Sequence, residues 1–255
     1  MTAPATYVYC IVSSSKPLST KATPSGPPGT GRVRTFEVRP HRYVVMSDAP
    51  LDQFGERALP ANLSDLDWVS RAAVAHEAVI ASFMPHADAV VPMKLFTLFT
   101  SDDRAVEQLR AGWRRVEGVI QRLAKHEEWG VRLVFDSTRA PVDDAPAVAE
   151  SGRSYLLTKR REQAASTARS AGMRKTAGEV LKALRPFARD TRQRPITPPA
   201  DSRGRLLVDA AFLVPRGKAA RFQTSAARQA KKIAPAGYAL QITGPWPPYS
   251  FVDKS

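Results

Sequence analysis

Two long amphipathic stripes constrain the fold of this chain more than any other feature of its sequence. In each stripe, apolar residues recur at alternating spacings of three and four, the pattern of one face of an α-helix. Each stripe follows a pair that resembles a helix capping box, Ser64 with Asp67 and Thr100 with Asp103. Neither stripe is long enough for a coiled coil, so we expect two helices on one face of a sheet. The stripes are Leu66, Val69, Ala73, His76, Ile80 and Phe83, and then Val106, Leu109, Trp113, Val116, Ile120 and Leu123.

Short runs of β-branched and aromatic residues predict the strands of that sheet. They give the order β-β-β-α-β-α-β, which is typical of a two-layer α+β unit with short connections. The segment 13–31 is rich in Ser, Thr, Pro and Gly and is predicted to be a mobile loop. The predicted strands are Tyr7–Val12, Arg32–Val38, His41–Ser47, Val90–Phe99 (interrupted by Pro92) and Trp129–Phe135 as the closing strand.

The second half of the chain reads as another α+β subdomain. Residues 137–149 are rich in Asp, Pro and Ala and predict a linker. We therefore expect an N-terminal subdomain at 1–136 and a C-terminal subdomain at 150–255, with a tail at 244–255. The predicted elements of the C-terminal subdomain are a helix from Ser151 to about Ala188, a loop at 192–199, a strand at Leu206–Val214, a basic helix at Gly217–Ile233 and a strand at Tyr238–Thr243.

The net charge of +14 is unevenly distributed between these two halves. Residues 1–136 have a net charge of +1, and residues 137–255 have +13. This asymmetry indicates two units with different partners, and it favours RNA or an acidic protein as the partner of the second. The candidate contact residues in the basic half are Arg160, Arg161, Arg174 and Lys175.

The chain lacks the residue patterns of most enzymes and metalloproteins. Its four histidines form no HxxxH or HExxH motif, and its single cysteine, Cys10, lies in an apolar run that predicts burial. Gly26–Gly31 resembles a phosphate-binding loop, but Arg32 and Val33 stand where that loop has Lys and Ser or Thr. His76 lies on an apolar stripe, where it is either a core residue or a ligand. We expect no catalysis, no cofactor and no bound metal.

No segment has the length of a membrane-spanning apolar run, and the first residues do not resemble a signal peptide. We therefore expect a cytoplasmic protein without a membrane partner.

The most distinctive string in the chain is GPWPPYSF at 244–251. Its prolines are incompatible with a regular helix or a central strand and predict an extended course. Trp246, Tyr249 and Phe251 are then large apolar anchors. These anchors either pack on their own domain or are bound by a partner.

Together with this tail, several motifs in a fixed order resemble the GvpL/GvpF family of gas vesicle proteins along most of the chain. The segment around Pro92, Lys94 and Thr97 resembles the family's "PLRFGT" motif, although Phe96 stands where the family usually has glycine. The other matching pieces are Tyr7–Val12, Leu66–Val79, Glu128–Leu133, Gly152–Leu157, Ala210–Val214 and Gly244–Phe251.

This resemblance implies two α+β subdomains, the second of them ferredoxin-like, and an accessory or minor structural protein of gas vesicle assembly. Such a protein is expected to bind the main gas vesicle shell protein, prevent its aggregation, interact with other gas vesicle accessory proteins and join the gas-facing surface. It has no small-molecule substrate. The candidate partner-binding residues are Pro92, Lys94, Thr97, Arg160, Arg161, Arg174, Lys175, Trp246, Tyr249 and Phe251. A basic RNA-binding or acidic-protein-binding module is the alternative. A nucleic-acid partner is not expected, because RNA-binding sheets of this kind need exposed aromatic side chains and the predicted strand Leu206–Val214 offers only Phe212.

Overall fold

The apolar run near residue 10 forms the central strand of a five-stranded antiparallel sheet. The computed structural model describes residues 4–139, 152–196 and 204–253, and all nine residues of this strand, β1 (Ala5–Ser13), are buried. The other strands of the sheet are β2 (Arg34–Arg39), β3 (Arg42–Ala49), β4 (Ala89–Pro92) and β5 (Leu98–Phe99). Their order is β2-β3-β1-β4, with β5 also pairing with β1, so β4 is an edge strand.

Helices cover both faces of this sheet, and the prediction that they share one face is wrong. Val12 and Val90 pack against the helix Leu66–Phe83 (α3) in one core cluster. Their neighbours Ile11 and Val91 face the helix Trp113–Leu123 (α5), because alternate strand residues point to opposite faces. The apolar stripes give the buried face of each helix but not the face of the sheet that each helix covers. The remaining helices of this region are α1 (Leu51–Phe54), α2 (Leu59–Asn62) and α4 (Asp102–Ala111).

The N-terminal caps of two helices lie one residue after the predicted positions, and one predicted helix is divided into two. Asp65, rather than Ser64, caps α3, and Ser101, rather than Thr100, caps α4. The predicted second helix is two helices, because Gly112 ends α4 and precedes α5. The apolar stripe of α3 is also shifted: Leu66 is 80% exposed, and the buried residues are Trp68, Ala72, His76, Val79, Ile80 and Phe83.

The segment predicted to be a mobile loop contains no helix or strand after Ser13. Its second half is held against the sheet by a hydrogen bond from the Gly31 N–H to the Asp48 carbonyl oxygen, at 2.8 Å. Its resemblance to a phosphate-binding loop has no structural counterpart, because β2 follows it instead of a helix.

A second sheet is built on the pattern β-α-β-β-α-β. Its elements are β6 (His126–Phe135), α6 (Gly152–Leu184), β7 (Asp190–Gln193), β8 (Arg205–Pro215), α7 (Ala219–Ile233) and β9 (Tyr238–Trp246). The strand order β7-β8-β6-β9 is that of a ferredoxin-like fold, as the resemblance implies. The strand Trp129–Phe135 therefore belongs to this sheet, and its prediction as the closing strand of the first sheet is wrong.

One face of the second sheet packs against both of its helices. Phe212 on β8 and Phe222 on α7 are fully buried there, with ring centroids 5.4 Å apart. The predicted loop at 192–199 includes the last two residues of β7, whose sequence Asp-Thr-Arg-Gln has no apolar alternation. This strand pairs only with β8, and an edge strand needs few apolar side chains.

The chain forms two compact units that do not follow its linear order. Unit 1 comprises Met1–Glu127 with Trp246–Ser255, and unit 2 comprises Glu128–Pro245. The end of the chain therefore lies with the first unit, whereas the sequence suggested that it belongs to the second. The predicted linker falls largely on 140–149, which lie outside the described residues. Within the described ranges, no helix is long and apolar enough to cross a membrane.

Candidate functional site

An apolar groove of about 350 Å³ lies beside the edge strand of unit 1. One wall is β4 with the segment that follows it, another is α5, and the third is the C-terminal segment. We call it the edge groove. Its apolar lining includes Ile11, Val91, Pro92, Val116, Val119 and Val252.

The C-terminal segment is held in place by one buried ring and several polar contacts. Phe251, in the 3₁₀ turn Tyr249–Phe251, has no exposed surface. The Tyr249 hydroxyl donates a hydrogen bond to the Glu77 carboxylate on α3, and burial followed by this carboxylate raises the Tyr249 pKa. On α5, the Arg122 guanidinium donates to the carbonyl oxygens of Phe251 and Val252, the second at 3.0 Å. Arg115 forms a salt bridge of 3.2 Å with Asp253.

These contacts show that the C-terminal segment passes around the β4 side of the sheet. Glu77 lies on α3 and Arg122 on α5, and these helices cover opposite faces. Tyr249 and Val252 line the same groove as Val91 and Pro92 of the edge strand. An open strand edge is a template for pairing with another chain. The tail therefore shields this edge, while Val116 of α5 stays partly exposed in the groove.

A buried hydrogen-bond chain holds the segment 93–97 that forms the rim of the edge groove. His76 Nε2 lies 3.2 Å from the Met93 carbonyl oxygen, so this nitrogen carries the proton and Nδ1 accepts from the Tyr7 hydroxyl at 3.0 Å. The Phe96 N–H donates to the Tyr7 hydroxyl at 3.1 Å. Burial lowers the pKa of His76 to about 4 and raises that of Tyr7, so both groups are neutral at pH 7. The structure therefore supports the interpretation of His76 as a core residue rather than as a ligand.

Phe96 has the left-handed backbone conformation that glycine adopts easily. Its φ is +61°, and its ring stacks on Trp68 with centroids 5.3 Å apart. The replacement of the family's usual glycine therefore keeps the turn and adds an aromatic contact. A left-handed conformation costs about 1–2 kcal/mol for a residue with a Cβ atom.

We expect Phe96→Gly to be more stable than Phe96→Ala by about 1 kcal/mol in urea unfolding. Both variants lose the contact with Trp68, but only glycine relieves the left-handed backbone. The same pair of substitutions at Val74, which is 69% exposed on α3, should give the opposite order because glycine weakens helices. An alanine variant at position 96 as stable as the glycine variant would contradict this account.

A second groove, of about 600 Å³, adjoins the edge groove along α5. The two share Gly112, Arg115, Val119 and Val252 in their linings. We call it the arginine groove, because Arg114, Arg115 and Arg122 line it around Gly118.

The structure brings four of the predicted partner-binding residues together. Pro92, Lys94, Thr97 and Tyr249 all line the edge groove, although about 150 residues separate the first three from the last. Phe251 is buried and holds the tail on unit 1, rather than on the C-terminal subdomain to which the sequence assigned it, and Trp246 remains 46% exposed.

The basic candidates lie elsewhere, on α6 of unit 2. Arg160, Arg174 and Lys175 have exposed side chains there. Arg161 is in the same helix, and its side chain lies outside the described residues.

Sequence reasoning missed the whole contribution of α5 to these grooves. Val116 is on a predicted apolar stripe, but Val119, Arg115 and Arg122 carried no signal of their own. The available signal was the pair of glycines at 112 and 118. Glycine is unfavourable inside a helix, so it marks a position where the helix ends or where a side chain would obstruct a contact.

The described side chains do not form a metal centre or a nucleophilic site. No group of three His, Cys, Asp or Glu residues capable of holding a metal ion occurs in the described part of the chain. Cys10 is fully buried, and burial raises the pKa of its thiol.

Comparisons with known proteins give a consistent result. A family model described as gas vesicle synthesis protein GvpL/GvpF matches residues 5–253. Gas vesicle protein L of a Streptomyces species is 28% identical, over 96% of this chain and 91% of the relative. Gas vesicle protein L2 of Halobacterium salinarum is 24% identical, over 96% and 90%. The crystal structure of GvpF from an Anabaena species superposes with a TM-score of 0.70 at 17% identity, covering 99% of this chain and 98% of that one. GvpF from Microcystis aeruginosa gives 0.67 at 12% identity, covering 98% and 99%.

Proposed function

The chain belongs to the GvpL/GvpF family of gas vesicle synthesis proteins and acts in gas vesicle formation, and we propose that it does so by binding the main gas vesicle shell protein and preventing its aggregation. The edge groove is the proposed binding site. In this proposal the chain remains with the assembling shell as a minor component and meets the other accessory proteins there.

The observation that carries this proposal is the apolar character of the edge groove. A protein that keeps a hydrophobic subunit soluble needs an apolar surface that its own chain does not fill. Val116 and Val252, which are partly exposed, offer such a surface over the buried Val91 and Pro92, and the polar groups of Lys94 and Thr97 lie at its rim. An apolar floor with a few polar groups at the rim is the usual composition of a binding cleft.

The direct test is a binding and light-scattering experiment with the purified shell protein. The shell protein is diluted from denaturant with and without the full chain. We expect the chain to reduce light scattering at near-equimolar ratio and to co-purify with the shell protein. Antibody detection of the chain in washed vesicles tests its place in the shell. Unchanged aggregation together with no co-purification would overturn the proposal.

The exposed basic residues of α6 offer a second surface for an acidic partner. We expect the neutralised variant Arg160→Gln/Arg161→Gln/Arg174→Gln/Lys175→Gln to lower the yield of gas vesicles in cells. Its melting temperature should stay within about 2 °C of wild type, since Arg160, Arg174 and Lys175 have exposed side chains and exposed substitutions have small effects. A normal vesicle yield from this variant would remove α6 from the proposal.

The alternative of an RNA-binding module has less support from the described residues. Ferredoxin-like RNA-binding sheets stack bases on aromatic side chains of the face that carries no helices. On that face of unit 2, the described strand residues include no aromatic side chain. Its charges are already paired: Arg194 contacts Glu128 at 2.7 Å and Asp209 at 3.4 Å, and Arg132 contacts Asp209 at 3.2 Å.

A further inference from the structure

The surface of α5 at Gly118 carries no side chain, and no other described part of the structure packs against it. We call it the bare surface. Gly118 lies inside the helix Trp113–Leu123, and a Cβ atom added there would meet nothing within 4 Å. A glycine inside a helix costs about 1 kcal/mol relative to alanine. Neither the packing of unit 1 nor the backbone conformation requires a glycine here. The missing side chain widens the arginine groove, which Gly118 lines.

The charges around this bare surface are mostly positive. Arg114, Arg115 and Arg122 line the arginine groove, and Lys94 stands at the rim of the edge groove. Among the described residues that line either groove, Asp253 is the one carboxylate, and it is paired with Arg115. The side chains of Arg115 and Asp253 are 78% and 59% exposed, so this pair is accessible to a competing carboxylate.

The shape of the surface favours a helix over a strand as the occupant. Strand addition needs an open sheet edge, and the C-terminal segment passes the sheet on the β4 side. Helices pack at 8–10 Å, with the distance set by the side chains at the crossing point, so a glycine allows a close approach. Val119 and Val252 line the arginine groove together with Gly118 and provide an apolar strip for the partner's apolar face.

We propose that the arginine groove and the adjoining edge groove bind an amphipathic helix of the shell protein whose apolar face is flanked by carboxylates. This assignment rests on the proposed function. The apolar face covers Val119, Val252 and the bare surface at Gly118, and the carboxylates reach Arg114 and Arg115.

Filling the bare surface tests the position of the helix. We expect Gly118→Leu to weaken binding of the shell protein at least tenfold without lowering the melting temperature, because leucine favours the helix more than glycine does. Gly178→Leu is the matched control. It is an exposed glycine of α6 whose added Cβ would also meet nothing within 4 Å, so it makes the same chemical change away from the grooves.

Charge reversal and designed peptides test the chemistry of the partner. We expect Arg114→Glu to weaken binding about tenfold, mainly through slower association, and Arg71→Glu, at an exposed position on α3, to leave it unchanged. A fluorescent amphipathic peptide with a leucine face flanked by glutamates should bind the wild-type chain and compete with the shell protein. The same peptide with lysines in place of the glutamates should bind at least tenfold more weakly.

The outcomes separate this assignment from the function on which it rests. If the shell protein binds wild type and Gly118→Leu equally well, the proposed function stands and the groove assignment is overturned. Equal binding of the glutamate and lysine peptides also overturns it. In a third outcome, the shell protein does not bind wild type, whereas the glutamate peptide binds wild type and not the Gly118→Leu variant. The proposed function then fails, and the groove retains its preference for acidic helices.

Discussion

Replacing Phe251 with alanine is expected to lower the free energy of unfolding of unit 1 by about 3–5 kcal/mol. The Phe251 side chain is fully buried, and its removal leaves a cavity. The loss also loosens the 3₁₀ turn that carries Tyr249, which is one wall of the edge groove. Urea unfolding followed by tryptophan fluorescence measures the change, and hydrogen exchange of the β1 amides assigns it to unit 1.

Trp246→Ala provides the control for this prediction. Trp246 is in the same segment but is 46% exposed, so its removal should cost less than about 1 kcal/mol. Similar losses in the two variants would mean that Phe251 does not anchor the tail. We also expect Phe251→Ala to weaken binding of the shell protein more than Trp246→Ala does, since only Phe251 fixes the groove wall.

Acidification from pH 6.5 to pH 4 is expected to destabilise unit 1 by on the order of 3 kcal/mol through His76 alone. The pKa of His76 falls from its ordinary 6.5 to about 4 in the folded chain, because burial disfavours the charged ring. The unfolded chain therefore binds a proton at a higher pH than the folded chain does. The contribution of neutral His76 to stability is complete above pH 6.5 and is lost as the pH falls towards 4.

The carboxylates of unit 1 change the stability of the fold only at a lower pH than His76 does. Asp102 and Glu117 have lowered pKa values in the folded chain. Burial alone would raise the pKa of Asp102, but its hydrogen bonds to Arg34 and Thr6 together outweigh burial, and the lowered pKa of Glu117 comes chiefly from its hydrogen bond to Arg42. Their contributions are present above their unfolded pKa values near 4 and decline only below them. Stability measured at pH 7.5, 6.0 and 5.0 therefore reports mainly on His76.

His76→Gln should flatten this pH dependence, because glutamine keeps a polar group near Tyr7 and Met93 but does not titrate. His86→Gln, at an exposed histidine, should retain the wild-type slope. A wild-type slope in His76→Gln would show that other groups cause the acid sensitivity.

The individual elements of this fold were largely predictable because each has a local signal. The apolar run around Tyr9 and the stripes of α3 and α5 are properties of neighbouring residues. The assignment of β6 to the second sheet was not predictable in this way. A strand of alternating apolar residues such as Trp129, Val131 and Leu133 fits either sheet, and only long-range pairing decides between them.

The candidate site was predictable only in its parts. Pro92 interrupts an apolar run, and the Pro/aromatic tail is conspicuous in the sequence, so both were recognised as unusual. Their proximity depends on the return of the chain to unit 1 after unit 2, for which the sequence carries no local signal. The arginines of α5 were hidden for a related reason, since exposed arginines on a helix usually contact only solvent.

The position of Phe251 also determines when the binding surface can exist during synthesis of the protein. The ribosome makes all of Glu128–Pro245 after the strands and helices of unit 1 and before the residues that complete it. At 5–20 residues per second, this interval lasts on the order of 10 s. Throughout that time the nascent chain lacks the third wall of the edge groove and the shield over β4. Under the proposed function, a client can therefore engage the finished groove only once translation has passed Asp253, which couples client capture to chains in which unit 2 has already been made.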